Sequence, residues 1–181
     1  MTLSALVLSV LSAFPHPPPE AHAHSLADAI ATAAHEAPLW ATGDAGETPE
    51  AIPAGEAATA AVLVAIARHE GGFRPDVARC LVTGDNGRSV GAYQVMRGRA
   101  WDGHTRAEIC ESDELQADLA LRVLAMSRRA GLDGMMRAYA SGDAGRHTRA
   151  GRELAGNVTS ACRRFGLICG LVPRWVKGPP S

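Results

Sequence analysis

Residues 56–72 read EAATAAVLVAIARHEGG. The apolar residues of this stretch fall on every side of a helix and its polar residues gather at the two ends. This pattern is typical of a helix that is buried on most sides. Gly71 and Gly72 predict where the helix ends. Glu70 therefore lies at the carboxyl end of the most buried helix that the sequence predicts.

The whole chain has the composition of one globular domain with a substantial core. It has 181 residues, of which 46% are hydrophobic and 20% charged. These values exclude membrane-embedded, collagenous and wholly disordered proteins. Aromatic residues make up only 4%, which is low for an all-β domain and favours closely packed, alanine-rich helices. We therefore predict a mainly α fold.

Helical periodicity and turn residues divide the rest of the chain into short elements. Ser25 predicts the N-terminal cap of a short helix that ends before Pro38. Residues 40–55 have the Gly, Pro and acidic composition of a linker. Residues 83–89 are rich in turn-forming residues, and residues 90–96 predict a short strand or extended segment. Further helices are predicted over residues 114–129, 132–139 and 146–165.

The amino-terminal part of the chain differs from the rest in charge and predicts export. Residues 1–67 contain seven acids and no Lys or Arg, whereas residues 68–181 contain 12 acids and 18 bases. Residues 3–14 are an apolar run, too short to span a membrane, followed by a Pro-rich break and by Ala21-His22-Ala23. We predict a signal peptide over residues 1–23 and a periplasmic or extracellular protein. Because no basic residue precedes the run, the alternative is a frayed or core-packed segment of a cytosolic protein.

The four cysteines fit an oxidising compartment, because an even number can pair completely. Three pairings are possible. We favour Cys80 with Cys110 and Cys162 with Cys169, since each pair closes a modest loop. The gap of 30 residues between the first two cysteines argues against a zinc site.

A carboxylate at the end of a buried helix has unusual chemistry. A charge is costly in a medium of low dielectric constant, so the side chain of Glu70 tends to keep its proton near neutral pH. A protonated carboxyl group can donate its proton to the leaving oxygen of a glycoside. Glu70 is therefore a candidate general acid.

Three segments of the chain carry a family resemblance. They are His69-Glu70-Gly71-Gly72-Phe73-Arg74-Pro75, Gly91-Ala92-Tyr93-Gln94-Val95-Met96 and Ala138-Tyr139-Ala140-Ser141-Gly142. In this order they resemble the motifs of the soluble lytic transglycosylase family, which shares the lysozyme fold. The family versions are Glu-Ser-x-Phe-x-Pro, Gly-Leu-Met-Gln and Ala-Tyr-Asn-Ala-Gly. The resemblance covers roughly residues 58–165.

The resemblance implies a lysozyme-like helical domain that cleaves peptidoglycan glycan strands. Glu70 would be the general acid on the bond between N-acetylmuramic acid and N-acetylglucosamine, and would then take the proton of the 6-hydroxyl to close a 1,6-anhydro ring. Gln94 would bind substrate in the cleft. Tyr139 would hydrogen-bond the catalytic carboxyl group. Tyr93 stands in the second motif and would bind or orient substrate.

The chain departs from the family pattern in each motif. Gly71 replaces the serine beside the glutamate, Ala92-Tyr93 replaces Leu-Met, and Ala140 replaces the asparagine of the third motif. These losses leave open a non-catalytic peptidoglycan-binding module of the same fold. Asp85 raises another alternative, because a second carboxylate could activate water as in a hydrolytic, inverting lysozyme that resembles the goose type. An Asp in a Gly-Asp-Asn-Gly segment is otherwise a turn residue.

The expected domain organisation follows from these assignments. We expect an acidic helical and linker segment over residues 24–55, the catalytic domain over residues 56–170 and an extended tail over residues 171–181. We expect a monomer without stable membrane insertion. Its arginines are scattered over helices without interleaved aromatics, a pattern that does not favour nucleic acid. Trp101 is either a sugar-stacking or a core residue.

Neither a metal nor another cofactor is expected. His69-Glu70 begins the zinc-protease pattern HExxH, but the position of the second histidine is Phe73. The resemblance likewise implies acid–base chemistry by one carboxyl group alone.

Overall fold

The computed structural model describes residues 1–40, 52–98, 101, 103–169 and 174–175. Within them the fold is mainly helical, as predicted, with two small antiparallel sheets. The helices are α1 (Leu3–Ser12), α2 (Glu20–Glu36), α3 (Ala54–Gly71), α4 (Pro75–Ala78), α5 (Arg106–Glu111), α6 (Asp113–Met126), α7 (Gly131–Ser141) and α8 (Arg149–Arg164). The strands are β1 (Ser89–Val90), β2 (Val95–Met96), β3 (Leu167–Ile168) and β4 (Arg174–Trp175).

Helix α3 is the centre of the core, which confirms the prediction from its all-round apolar pattern. It packs against α1, α2, α6 and α8, and residues 57–67 are all buried. Thr59, the polar residue in this stretch, is satisfied locally. Its hydroxyl donates to Gly55 O (2.8 Å) and accepts from Leu39 N (2.9 Å). Small alanine side chains let the neighbouring helices approach this axis closely.

The carboxyl end of α3 has the predicted glycine cap. Gly72 adopts the left-handed conformation (φ 60°) and its N–H bonds Arg68 O at 3.0 Å. Phe73 follows with a φ of 58° and a buried ring, and Pro75 begins α4. Two consecutive left-handed residues turn the chain sharply just after Glu70, which leaves this side chain in the last turn of the helix.

The amino-terminal helices share the core with α3. Helix α1 buries Leu6, Val7, Val10 and Leu11. The ring of Phe14 packs edge-to-face on Phe73 (centroids 5.3 Å apart), and the guanidinium carbons of Arg68 and Arg164 each lie 4.4 Å from its centroid. Residues 3–14 are thus a core-packed segment in this structure. Cleavage after residue 23 would cut inside α2, and export stays a prediction.

The predicted start of the second helix at Ser25 is wrong. Helix α2 begins at Glu20, directly after Pro19. The Ala and His residues at positions 21–24 are helical, so they extend the helix toward the amino terminus from Ser25. Ser25 instead donates from its hydroxyl to Asp113 Oδ2 at 2.5 Å. The end of the helix before Pro38 is confirmed. Residues 41–51 of the predicted linker lie outside the described residues.

The helices predicted over residues 114–129, 132–139 and 146–165 are confirmed with small changes in their bounds. The short strand or extended segment predicted over residues 90–96 is instead a hairpin, because residues 91–94 form a turn. Strands β1 and β2 pair Ser89 with Met96 and Val90 with Val95. Strands β3 and β4 pair Leu167 with Trp175. The remainder of the predicted tail, residues 171–173 and 176–181, lies outside the described residues. Within residues 1–40, 52–98, 101 and 103–169, no helix is long and apolar enough to cross a membrane.

Both predicted disulfides are present. Cys80 and Cys110 join the loop after α4 to α5, and Cys162 and Cys169 join α8 to the residue after β3. The sequence separations of 30 and 7 residues correspond to loop-closure contributions of about 4 and about 2 kcal/mol. The first bridge braces the two segments that flank the hairpin.

Candidate active site

A cavity of about 410 Å³ brings together four of the residues singled out from the sequence. Glu70, Asp85, Gln94 and Tyr139 all line it. They come from the end of α3, the turn before β1, the hairpin and α7 respectively. The volume is in the range of ligand pockets. The structure therefore contains a cavity in which these four side chains could contact one ligand.

Glu70 is half-buried at one side of the cavity. Burial raises the pKa of its carboxyl group from 4.5 to about 7, and the negative charge of Asp85 adds to this shift. At neutral pH a large fraction of the molecules therefore carries a protonated Glu70. Such a group can donate a proton and afterwards accept one.

Asp85 is both a turn residue and a cavity residue. It begins the 3-10 turn Asp85–Gly87 with a φ of 47°, and Asn86 follows with a φ of 56°. The Ser89 hydroxyl donates to Asp85 Oδ2 at 2.7 Å. This bond orients the carboxylate of Asp85, which lines the cavity and acts electrostatically on Glu70.

Gln94 is held in an uncommon backbone conformation at the hairpin turn. Its φ is 48°, and its Nε2 donates to Gly91 O at 2.9 Å. Asp85 and Gln94 are two of the five non-glycine residues with positive φ among the described residues, and Phe73 is another. Backbone strain of this kind clusters at functional sites. The occurrence of three such strained residues around Glu70 supports a functional role for this cavity.

Tyr139 lies close enough to Glu70 to sense its charge. Burial raises the pKa of its phenol well above the usual value, and the charges of Glu70 and Tyr93 add to the shift, so the phenol stays neutral. Its hydroxyl donates to Tyr93 O at 2.7 Å. The single hydroxyl proton therefore goes to a backbone carbonyl rather than to the carboxyl group of Glu70.

Two aromatic residues from the sequence analysis have buried side chains outside the cavity. The ring of Tyr93 is fully buried, so it cannot bind substrate directly; its contribution is the carbonyl that accepts from Tyr139. Burial and the charge of Asp113 raise the pKa of the Tyr93 phenol. Trp101 is also buried and donates from Nε1 to Val95 O at 3.1 Å. It is a core residue, not a sugar-stacking one.

Gln116 is a supporting residue that the sequence did not reveal. It is fully buried in α6, where its Oε1 accepts from Ala92 N at 2.7 Å. Its Nε2 donates to Ala78 O (2.9 Å) and Ile109 O (2.8 Å). One amide thus ties the hairpin turn to the two segments that the Cys80–Cys110 bridge joins. In the sequence it is one of several polar residues of α6 and carries no distinguishing signal.

The glycine in place of the family serine has a steric reason. A Cβ atom at Gly71 would lie 2.6 Å from Ala92 O, a distance too short for any side chain. The hairpin turn packs directly on the end of α3, and only glycine allows this approach. The replacement of the family serine by Gly71 therefore allows the hairpin turn to pack beside Glu70.

No group of three or more His, Cys, Asp or Glu residues within the described part of the chain is placed to hold a metal ion. Comparisons with protein-family models, curated proteins and solved structures found no match to the chain. The function of this protein must therefore be inferred from the cavity itself and from the three motifs around it.

Proposed function

We propose that this protein cleaves the glycan strands of peptidoglycan as a lytic transglycosylase, with Glu70 as general acid and base. The observation that carries the proposal is the partly desolvated carboxyl group of Glu70, whose pKa is raised to about 7. It lies in a cavity with Gln94 and Tyr139. These are three of the four residues that the family resemblance selects; the fourth, Tyr93, is buried outside the cavity.

The reaction needs one carboxyl group and no water. Protonated Glu70 donates to the glycosidic oxygen, and the bond from that oxygen to C1 of the muramoyl sugar breaks. The 6-hydroxyl oxygen of the same sugar bonds to C1, and its proton returns to the Glu70 carboxylate. The products are two glycan fragments. One ends in the 1,6-anhydro sugar, the other begins with the sugar whose oxygen accepted the proton, and Glu70 is protonated again.

The neighbouring residues have separate tasks in this scheme. Gln94 presents its side chain at the cavity and binds the sugar by hydrogen bonds. Tyr139 forms a neutral wall beside Glu70, fixed by its bond to Tyr93 O. The negative charge of Asp85 helps Glu70 to hold its proton.

The position of Asp85 favours a second candidate, an inverting hydrolase. In that mechanism Asp85 takes a proton from water, and the water oxygen bonds to C1 while Glu70 protonates the leaving oxygen. The two reactions differ in product. Hydrolysis leaves a reducing end, whereas transglycosylation leaves an anhydro end that is lighter by one water.

Purified sacculi test the proposal. The wild-type protein is expected to release soluble fragments with anhydro ends by mass spectrometry, and Glu70→Gln to release none. Reducing ends that incorporate labelled oxygen from water would favour the hydrolase. Binding of both proteins to sacculi without release of fragments would overturn the catalytic proposal in favour of a binding module.

A further inference from the structure

The cavity has a strongly apolar side that the acid chemistry does not use. Met96 at the end of β2 and Met126 at the end of α6 both line it together with Glu70. Met96 is 51% exposed and Met126 is 68% exposed. Large apolar side chains exposed together at a concave site commonly mark a binding surface.

The position of these methionines distinguishes them from other exposed apolar residues. Leu81 and Ile168 are also exposed, but neither lines the cavity. Val95 and Val123 continue the apolar side next to the two methionines. Two elements that are far apart in the chain thus place their exposed methionines in the cavity that holds the candidate acid.

The charge of the cavity restricts its occupant. The two charged residues that line its described part are Glu70 and Asp85, without any Arg or Lys. A phosphate or carboxylate ligand would meet no counter-charge there. A neutral ligand with apolar C–H surfaces and a few hydroxyl groups fits both sides of the cavity.

We propose that Met96 and Met126 form an apolar subsite that contacts the acetamido methyl group and the C–H face of an N-acetylhexosamine ring. The proposal rests on the glycan-binding function argued above and names two specificity residues for it. Methionine suits this task because its side chain is flexible and its sulfur polarisable. Among the residues that line the cavity, Tyr139 is the aromatic residue available for sugar contact.

Methyl NMR of the full-length chain tests the subsite directly. The protein carries five methionines, and Met135 and Met136 are buried and serve as internal controls. Glu70→Gln labelled at the methionine methyl groups is titrated with a β-1,4-linked oligomer of N-acetylglucosamine. The signals of Met96 and Met126 are expected to shift and saturate, while those of the buried pair stay in place.

Substitutions give the second measurement. Met96→Gln and Met126→Gln, made in the Glu70→Gln background, each identify one signal by its loss. Each is expected to weaken binding of the oligomer by about tenfold, since each replaces apolar contact area by an amide. Leu81→Gln is the matched control, because it changes an exposed apolar residue outside the cavity and is expected to bind normally.

A glucosamine oligomer of the same length separates apolar contact from charge attraction. Without acetyl groups it is cationic and is attracted to Asp85 in the Glu70→Gln protein, but it lacks the methyl group that the subsite recognises. Equal shifts of Met96 and Met126 with both oligomers, or glutamine variants that bind normally, would overturn the subsite.

The outcomes for subsite and reaction are distinguishable. Cleavage of sacculi without a response of Met96 and Met126 would refute the subsite alone. A methionine response without cleavage by the wild-type protein would refute the reaction alone and leave a glycan-binding module. Absence of both would refute both.

Discussion

The protonation of Glu70 makes a quantitative prediction for stability. Its pKa is raised from 4.5 to about 7, mainly by burial. The folded protein therefore binds this proton more tightly than the unfolded chain does, and its stability falls as the pH rises from the lower to the higher value. Glu70→Gln replaces the carboxyl group by a neutral group of the same shape and removes this pH-dependent loss.

The size of the effect follows from the shift. The interval between 4.5 and about 7 corresponds to about 3 kcal/mol as an upper bound. Because the cavity is open to water, solvent screening reduces this value. We expect Glu70→Gln to be about 1–3 kcal/mol more favourable, relative to wild type, at about pH 8 than at about pH 4.

Urea unfolding of both proteins at the two pH values measures the difference. The change between the pH values is the informative quantity, since any constant effect of the amide cancels. Glu153→Gln is the control with the opposite sign, because the hydrogen bond from Arg149 lowers the pKa of Glu153. An equal difference in the free energy of unfolding at both pH values would refute the desolvation of Glu70.

Three further predictions concern the surroundings of Glu70. Asp85→Asn removes a nearby negative charge, so the alkaline limit of the pH–activity profile on sacculi is expected to move to lower pH; complete loss of activity would instead indicate the hydrolase. Gln116→Leu leaves Ala92 N–H and two carbonyls without their partner, and is expected to lower the free energy of unfolding by about 3 kcal/mol and to reduce activity. An unchanged denaturation midpoint would contradict this role. Gly71→Ser introduces the family residue, yet is expected to destabilise the protein by about 1–3 kcal/mol, because its Cβ meets Ala92 O. Higher activity with unchanged stability would show that the hairpin turn can move to accommodate the side chain.

The features that the sequence predicted best depend on local pattern. The all-round apolar character of α3 and the glycines after it placed Glu70 at the end of a buried helix, and the structure confirms this position. Turn-forming residues likewise predicted the turn before β1, which carries Asp85. In each case the information lies within a few neighbouring residues, because periodicity and capping are local properties.

The features that the sequence missed depend on contacts between distant segments. Gln116 acts on Ala92, 24 residues away, and Ser25 on Asp113, 88 residues away. No local pattern distinguishes a buried amide that satisfies three backbone groups from a polar residue on a helix surface. The burial of Tyr93, whose motif suggested a substrate contact, is determined in the same way by the packing of the turn on α6.

The proposed site therefore joins a locally encoded acid to a turn that is positioned by long-range contacts. Gln116 holds Ala92, the Ala92 carbonyl excludes any side chain at Gly71, and Tyr93 O accepts from Tyr139. Because these contacts involve the same short turn, a change at any one of them is transmitted to the surroundings of Glu70. The two departures from the family motifs at this turn, the glycine beside Glu70 and the Ala-Tyr pair, are thus parts of one packing arrangement.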